Sequence, residues 1–200
     1  MKTALALLIL IAAGCGYYFL YPPMALKHKT ESALEAFSKA VESQDRAKVA
    51  ASLDKYLSPI AKIHLEMTFY SVLQQEGTKP QVQDFDPATF KQFIDNLLYS
   101  TTDYHYAPQL REFTLSKDHK SANVTFISSE YADATSYYDG KPVGMRYSST
   151  TSCAGEVLFE QNMALLDTAT CAVQAHLVPK VDEAYKLRQS PEALQQYLKQ

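Results

Sequence analysis

Tryptophan is absent from this 200-residue chain, and cysteine occurs only at positions 15, 153 and 171. The two cysteines beyond residue 15 cannot build a zinc site alone, and neither CxxC nor HExxH spacing occurs. No metal and no cofactor is therefore expected. The chain also lacks a glycine-rich phosphate loop and a Gly-x-Ser-x-Gly nucleophile elbow, the signatures of nucleotide-binding proteins and serine hydrolases. It has no long Lys/Arg cluster, and its formal charge is −3. That leaves no electrostatic footprint for nucleic acid. Internal repeats and low-complexity tracts are absent too.

What the chain does have begins at its N-terminus, MKTALALLILIAAGCGYYFLY. After Lys2 no charge appears until Lys27. The uncharged run 3–21 has about the ~20 residues a bilayer-spanning helix needs. Residues 1–23 are read as a signal, a lipoprotein signal or a transmembrane anchor, and these three remain open. Ala12-Ala13-Gly14 followed by Cys15 has the small-residue outline of a lipidation site, with Cys15 as the lipidated residue. Tyr17, Tyr18 and Tyr21 suit the headgroup level of an uncleaved anchor. Pro22-Pro23 is expected to end that helix, because proline lacks the backbone donor. Any of the three places residues 24–200 in the periplasm or outside a bacterial cell, and that length suits one domain.

Glu31 to about Leu57 carries one apolar stripe: Ala33, Leu34, Phe37, Ala40, Val41, then Val49, Ala50, Leu53 and Leu57. Ser43-Gln44-Asp45 marks a break, with Asp45 capping a second helical piece. Ser58-Pro59 reads as another helix start, and Ile60, Ile63, Met67 and Tyr70 follow at helical spacing. Residues 77–85 read as a polar loop. Asp86-Pro87 starts a further helix with Phe90, Phe93, Ile94, Leu97 and Leu98 on its apolar face. From about Tyr104 the pattern becomes β, with turns near 117–120, 139–140 and 160–162 and Pro179 at the sheet end. Residues 121–131 alternate, with Val124 and Phe126 on one face. Ser190-Pro191 opens a short terminal helix.

A final hairpin centred on residue 162 sets Phe159 opposite Leu165, Val157 opposite Asp167, Gly155 opposite Ala169 and Cys153 opposite Cys171. Side chains two apart share a face. A cross-strand disulfide Cys153–Cys171 is therefore expected in an exported chain. The same register puts Asp167 among Val157, Leu165 and Cys171. A carboxylate on an apolar face has a raised pKa and can serve as a base or a neutral donor. Asp167 is thus the one candidate catalytic residue, and Tyr70, Phe126, Val157 and Asp167 are the expected pocket residues. His64 and Glu66, two apart on a helix, do not share a face, and His64 is read as a solvent-facing helix residue rather than a pocket base; His119 and His176 have no partner at metal-ligand spacing. Tyr99, Tyr104, His105 and Tyr106 either line a pocket mouth or staple a helix to the sheet.

Helices followed by a four-stranded antiparallel meander make an α+β plan. The stretch ALEAFSKAVESQDRAKVAASLDKYLSP resembles the opening of the nuclear-transport-factor-2-like superfamily: amphipathic helix, small loop with Asp, second helix, Leu-Ser-Pro. The resemblance covers roughly residues 28–177. It implies a curved four-stranded sheet wrapped around helices, a cone with an apolar pocket. One departure is that 60–73 reads as a helix where many members have a strand. Members include isomerases and dehydratases that use the pocket, ligand binders, and membrane-tethered assembly parts. The absence of a convergent acid–base set leads us to expect a non-catalytic, membrane-anchored extracytoplasmic binding or assembly module with envelope protein partners. The alternatives are a carrier or sensor for a small apolar ligand, and an isomerase- or dehydratase-type enzyme using Asp167.

Overall fold

The computed structural model describes residues 2–71, 79–138 and 141–180, with side chains described for 22–70, 79–135 and 142–180. In chain order the elements are α1 (Lys2–Glu42), α2 (Arg46–Tyr56), β1 (Leu57–Ser71), β2 (Gln81–Phe85), α3 (Pro87–Tyr99), β3 (Thr101–Leu115), β4 (Ser121–Tyr138), β5 (Lys141–Glu160) and β6 (Met163–Pro179). The fold is α+β. Its sheet has six strands rather than four, in the order β2-β1-β6-β5-β4-β3. β1 runs parallel to β6, and the other neighbours are antiparallel.

The helices form where their caps direct. Asp45 accepts hydrogen bonds from the backbone N–H groups of Ala47 and Lys48 and starts α2. Asp86 and Thr89 make a reciprocal capping box at α3, with Pro87 at the first helical position. Arg46 and Lys91 then pair with Asp95 and Asp54, tying α2 to α3. One expectation fails at α1, which runs on through Pro22 and Pro23. The proline ring holds φ near its helical value, so the helix can continue through both residues at the cost of two backbone donors. The expected terminal helix after Ser190 and the turn at 139–140 lie outside the described residues.

The second correction is at β1. Residues 60–71 form a strand, not a helix. The inward set is Ala61, Ile63, Leu65 and Met67, all buried, with Lys62, His64 and Glu66 between them. That is a period of two. Ile60 and Tyr70 mimicked a helical stripe but belong elsewhere: Ile60 is exposed, and Tyr70 stacks on His176 at 4.9 Å. Pro59 sits in the irregular stretch of the β1–β6 ladder between Leu57 and Lys62. A proline is tolerated there because no ladder bond is lost. β2 occupies 81–85, within the expected loop, and pairs its edge with β1.

The last hairpin shows why register needs geometry as well as pattern. Cys153 pairs with Cys171 and Gly155 with Ala169, as the alternation implies, and the disulfide is formed. Nearer the turn, Val157 pairs with Leu166 and Phe159 with Ala164. The loop is the two residues Gln161-Asn162, both at positive φ (46° and 70°). Such a turn matches the strand twist and centres the hairpin between two residues. A bulge between Glu156 and Val157 absorbs the half-step and leaves Asp167 without a ladder partner.

On the face toward the helices the buried residues form two groups. One gathers Leu57, Ile63, Leu65, Val124, Phe126, Val157 and the two bridged cysteines. The other gathers Val41, Val49, Leu53, Leu98, Tyr104 and Ala132. Among the described residues no helix is long and apolar enough to cross a membrane. The side chains of 1–21, Cys15 included, lie outside the described set.

Candidate functional site: a cone cavity with one carboxylate

Between the helices and the sheet lies a cavity of about 480 Å³. Its walls are apolar. α1 contributes Leu34 and Phe37, α3 contributes Phe90, Phe93 and Leu97, and β1 contributes Ile63, Leu65 and Met67. Phe126, Val157 and the Cys153–Cys171 bridge line the sheet side. The phenylalanines Phe85, Phe90 and Phe93 pack as a cluster, with centroids 5.1 to 6.4 Å apart.

One corner is polar, and sheet register builds it. On β4, residues two apart from Phe126 are Ser128 and then Glu130, which face the cavity. Tyr106 of β3 pairs with Glu130, and Tyr104 lies two residues before it on the same face. On β5, Thr151 pairs with Ser128, and Tyr147 pairs with Ala132 one step beyond Glu130 on that face. Tyr104 donates its hydroxyl to Glu130 Oε2 at 2.5 Å. Thr151 and Ser128 donate theirs to Oε1 at 3.2 and 3.3 Å. Burial, reinforced by the adjacent Glu130 charge, pushes all three phenols up: Tyr104 and Tyr106 beyond the range of ordinary tyrosine, and Tyr147 to about 12. They remain neutral donors at any physiological pH.

Across the cavity, Ser52 of α2 presents a buried hydroxyl that has no hydrogen-bond partner among the described residues. Among the described residues Glu130 is the only acidic or basic side chain that lines the cavity; no Lys, Arg or His does. No group of three or more His, Cys, Asp or Glu residues there could hold a metal ion.

The sequence-derived candidates divide. Phe126 and Val157 line the cavity, whereas Tyr70 and Asp167 do not. Tyr70 alternates to the opposite face of β1. Asp167 takes the unpaired position of the bulge, and Leu166 occupies the cavity wall in its place. Asp167 Oδ1 is buried without a hydrogen-bond partner among the described residues. Of the aromatic string, Tyr104 and Tyr106 reach the cavity, His105 stacks on Tyr131 at 4.2 Å, and Tyr99 is exposed. Glu130, Ser128, Thr151 and Tyr147 went unnoticed in the sequence. The signal for the first two was present: the Val124–Phe126 alternation, carried two and four residues further, arrives at them.

Two helices, a strand pair, a third helix and four long strands, wound into one sheet around a cavity, complete the plan. The fold is nuclear-transport-factor-2-like. Solved structures to which the chain is similar include a candidate aromatic ring hydroxylase from Novosphingobium aromaticivorans, 18% identical over 81% of this chain and 98% of that one, with a TM-score of 0.49. A candidate dehydratase of the nuclear-transport-factor-2-like family from Streptomyces avermitilis is 14% identical, over 80% and 99% of the two chains, with a TM-score of 0.44. A nuclear-transport-factor-2-like protein of unknown function from Shewanella oneidensis is 9% identical, over 73% and 98%, also at 0.44. No protein-family model and no curated protein matches the sequence. Fold by itself does not assign a function, which rests on the residues of the site.

Proposed function

We propose that this chain binds a small, largely apolar molecule in the cone cavity. The observation that carries this reading is the cavity itself, about 480 Å³ with an apolar wall and a single polar corner. Ligand pockets typically span about 300–1,000 Å³ with this division of surface. A protein whose only task is assembly gains nothing from such a hollow, so the cavity favours ligand binding over the envelope-assembly reading. Joined to an N-terminal membrane segment, the domain would act as a ligand carrier or sensor in the bacterial envelope.

A second reading rests on one contact. Tyr104 and Glu130 form a phenol–carboxylate pair at 2.5 Å inside the cavity. Such a pair can hold and move a proton next to a bound molecule, as an isomerase or dehydratase requires. Glu130, not Asp167, is the carboxylate placed for it.

The test is native mass spectrometry of the full-length protein as purified, followed by thermal unfolding with a panel of apolar molecules. A co-purifying small molecule is expected, and a ligand at a hundredfold excess over its Kd adds about 2.7 kcal/mol of stability. A bare polypeptide mass together with no stabilisation by any compound overturns ligand binding. Turnover that disappears in Glu130→Gln while binding persists moves the assignment to the enzyme reading.

A further inference from the structure

We infer that the cavity selects a small organic cation, an ammonium head on an apolar body, with Glu130 and the surrounding tyrosine rings as the head-group site. The inference rests on the reading of the cavity as a ligand site and specifies the ligand's charge.

Charge is the first observation. Glu130 brings one carboxylate to a cavity whose described lining holds no Lys, Arg or His, and among the described residues it forms no salt bridge. Its contacts are three neutral hydroxyls. Neutral donors satisfy lone pairs but leave the net charge uncompensated. In surroundings of low dielectric that charge attracts a cation, and repels an anion, far more strongly than it would in water.

The second observation is aromatic. Tyr104, Tyr106 and Tyr147 line the cavity around Glu130, and Phe37 meets Tyr106 edge-on at 5.6 Å. Faces of aromatic rings attract organic cations, and quaternary ammonium groups are recognised by such rings. Burial and the Glu130 charge both keep the phenols neutral, so these rings do not compete as anions.

Hydrogen-bond capacity narrows the head group. A carboxylate offers about four acceptor sites. Tyr104, Ser128 and Thr151 fill three of them. A primary ammonium, with three donors, finds one free site on the carboxylate and must place its other two N–H groups on hydroxyl oxygens around it. A tertiary or quaternary ammonium has one N–H or none and fits the corner as it stands. The apolar remainder of the ligand then lies toward Phe90, Phe93 and Met67.

The experiment measures binding of hexyltrimethylammonium, hexanol and hexanoate to the full-length chain by calorimetry, beside Glu130→Gln and Tyr106→Leu. In the unaltered protein the cation is expected to bind at least tenfold more tightly than hexanol, with hexanoate the weakest. In Glu130→Gln that preference should fall to about threefold or less, because only the rings remain. Hexanol binding to that variant reports that it is folded. Tyr106→Leu, which keeps the carboxylate, should weaken the cation several-fold and leave hexanol nearly unchanged. Hexanol or hexanoate binding the unaltered protein as tightly as the cation overturns the charge assignment and leaves the ligand cavity standing. Binding of none of the three counts against the cavity as a ligand site and takes the inference with it.

Discussion

Breaking the Cys153–Cys171 bond probes the sheet register on which the cavity depends. The two residues pair across β5 and β6, and their sequence separation is 18. The ladder pairs their neighbours on both sides, from Met145–Pro179 through Glu160–Met163, so the native hairpin is held independently of the bond. The bond therefore acts mainly on the unfolded chain, by closing a loop. For a loop of that length the chain-entropy estimate is about 3 kcal/mol at 25 °C. The assay is urea unfolding with and without reductant. With a slope of about 2 kcal/mol per M, a loss of this size lowers the midpoint by about 1.5 M. Reduction is the cleaner perturbation because it keeps every sulfur atom, whereas Cys153→Ala with Cys171→Ala also removes packing from two sites that are 4% and 5% exposed. The double variant should therefore unfold at or slightly below the midpoint of the reduced protein. Superimposable curves for oxidised and reduced protein would refute the reasoning. So would two freely titrating thiols at positions 153 and 171 in protein purified without reductant.

Gly155→Ala is expected to destabilise by about 2 kcal/mol or more, because its Cβ would stand 2.1 Å from the backbone oxygen of Thr168 and the bulged strand must shift; thermal unfolding measures it, and an unchanged Tm would contradict the bulge geometry. Asp45 and Asp86 are held below the ordinary carboxyl value of 3.8, chiefly by hydrogen bonds from the backbone N–H groups of Lys48 and Thr89. A depressed folded-state pKa contributes stability that is complete above pH 3.8 and is lost as pH falls through the lower folded value. Asp45→Asn with Asp86→Asn keeps a capping side chain but removes the titration, so its Tm should fall less than that of the unaltered protein on acidification below that pH; parallel curves would show that the caps do not titrate as described.

Much of the architecture was legible in sequence because it is written in local chemistry. Asp45 and Asp86-Pro87 marked helix starts, and the α2 and α3 boundaries follow them. The Cys153–Cys171 pairing came from a register counted about residue 162, which holds at the cysteines because the bulge between Glu156 and Val157 offsets the half-step at the turn. β1 was misread because Ser58-Pro59 imitates a helix start and Ile60, Ile63, Met67 and Tyr70 fall three and four apart. Those positions satisfy two periods at once, and only the neighbouring strand β6, more than a hundred residues away, selects the strand. Asp167 was assigned to the cavity because the alternation was counted from a turn taken as three residues. The actual two-residue turn and its compensating bulge are a backbone solution to strand twist, which side-chain periodicity does not encode.

The sequence by itself determined the capped starts of α2 and α3, the cross-strand cysteine pair and the lack of a metal motif. Each of these depends on residues within a turn or a single hairpin of one another. The tertiary structure alone decided which carboxylate lines the cavity. Glu130, Tyr104, Tyr147 and Thr151 come from three strands, and Ser52 and Phe37 from two helices. Their convergence depends on the order and register of the sheet, and hence on long-range packing that no local pattern specifies.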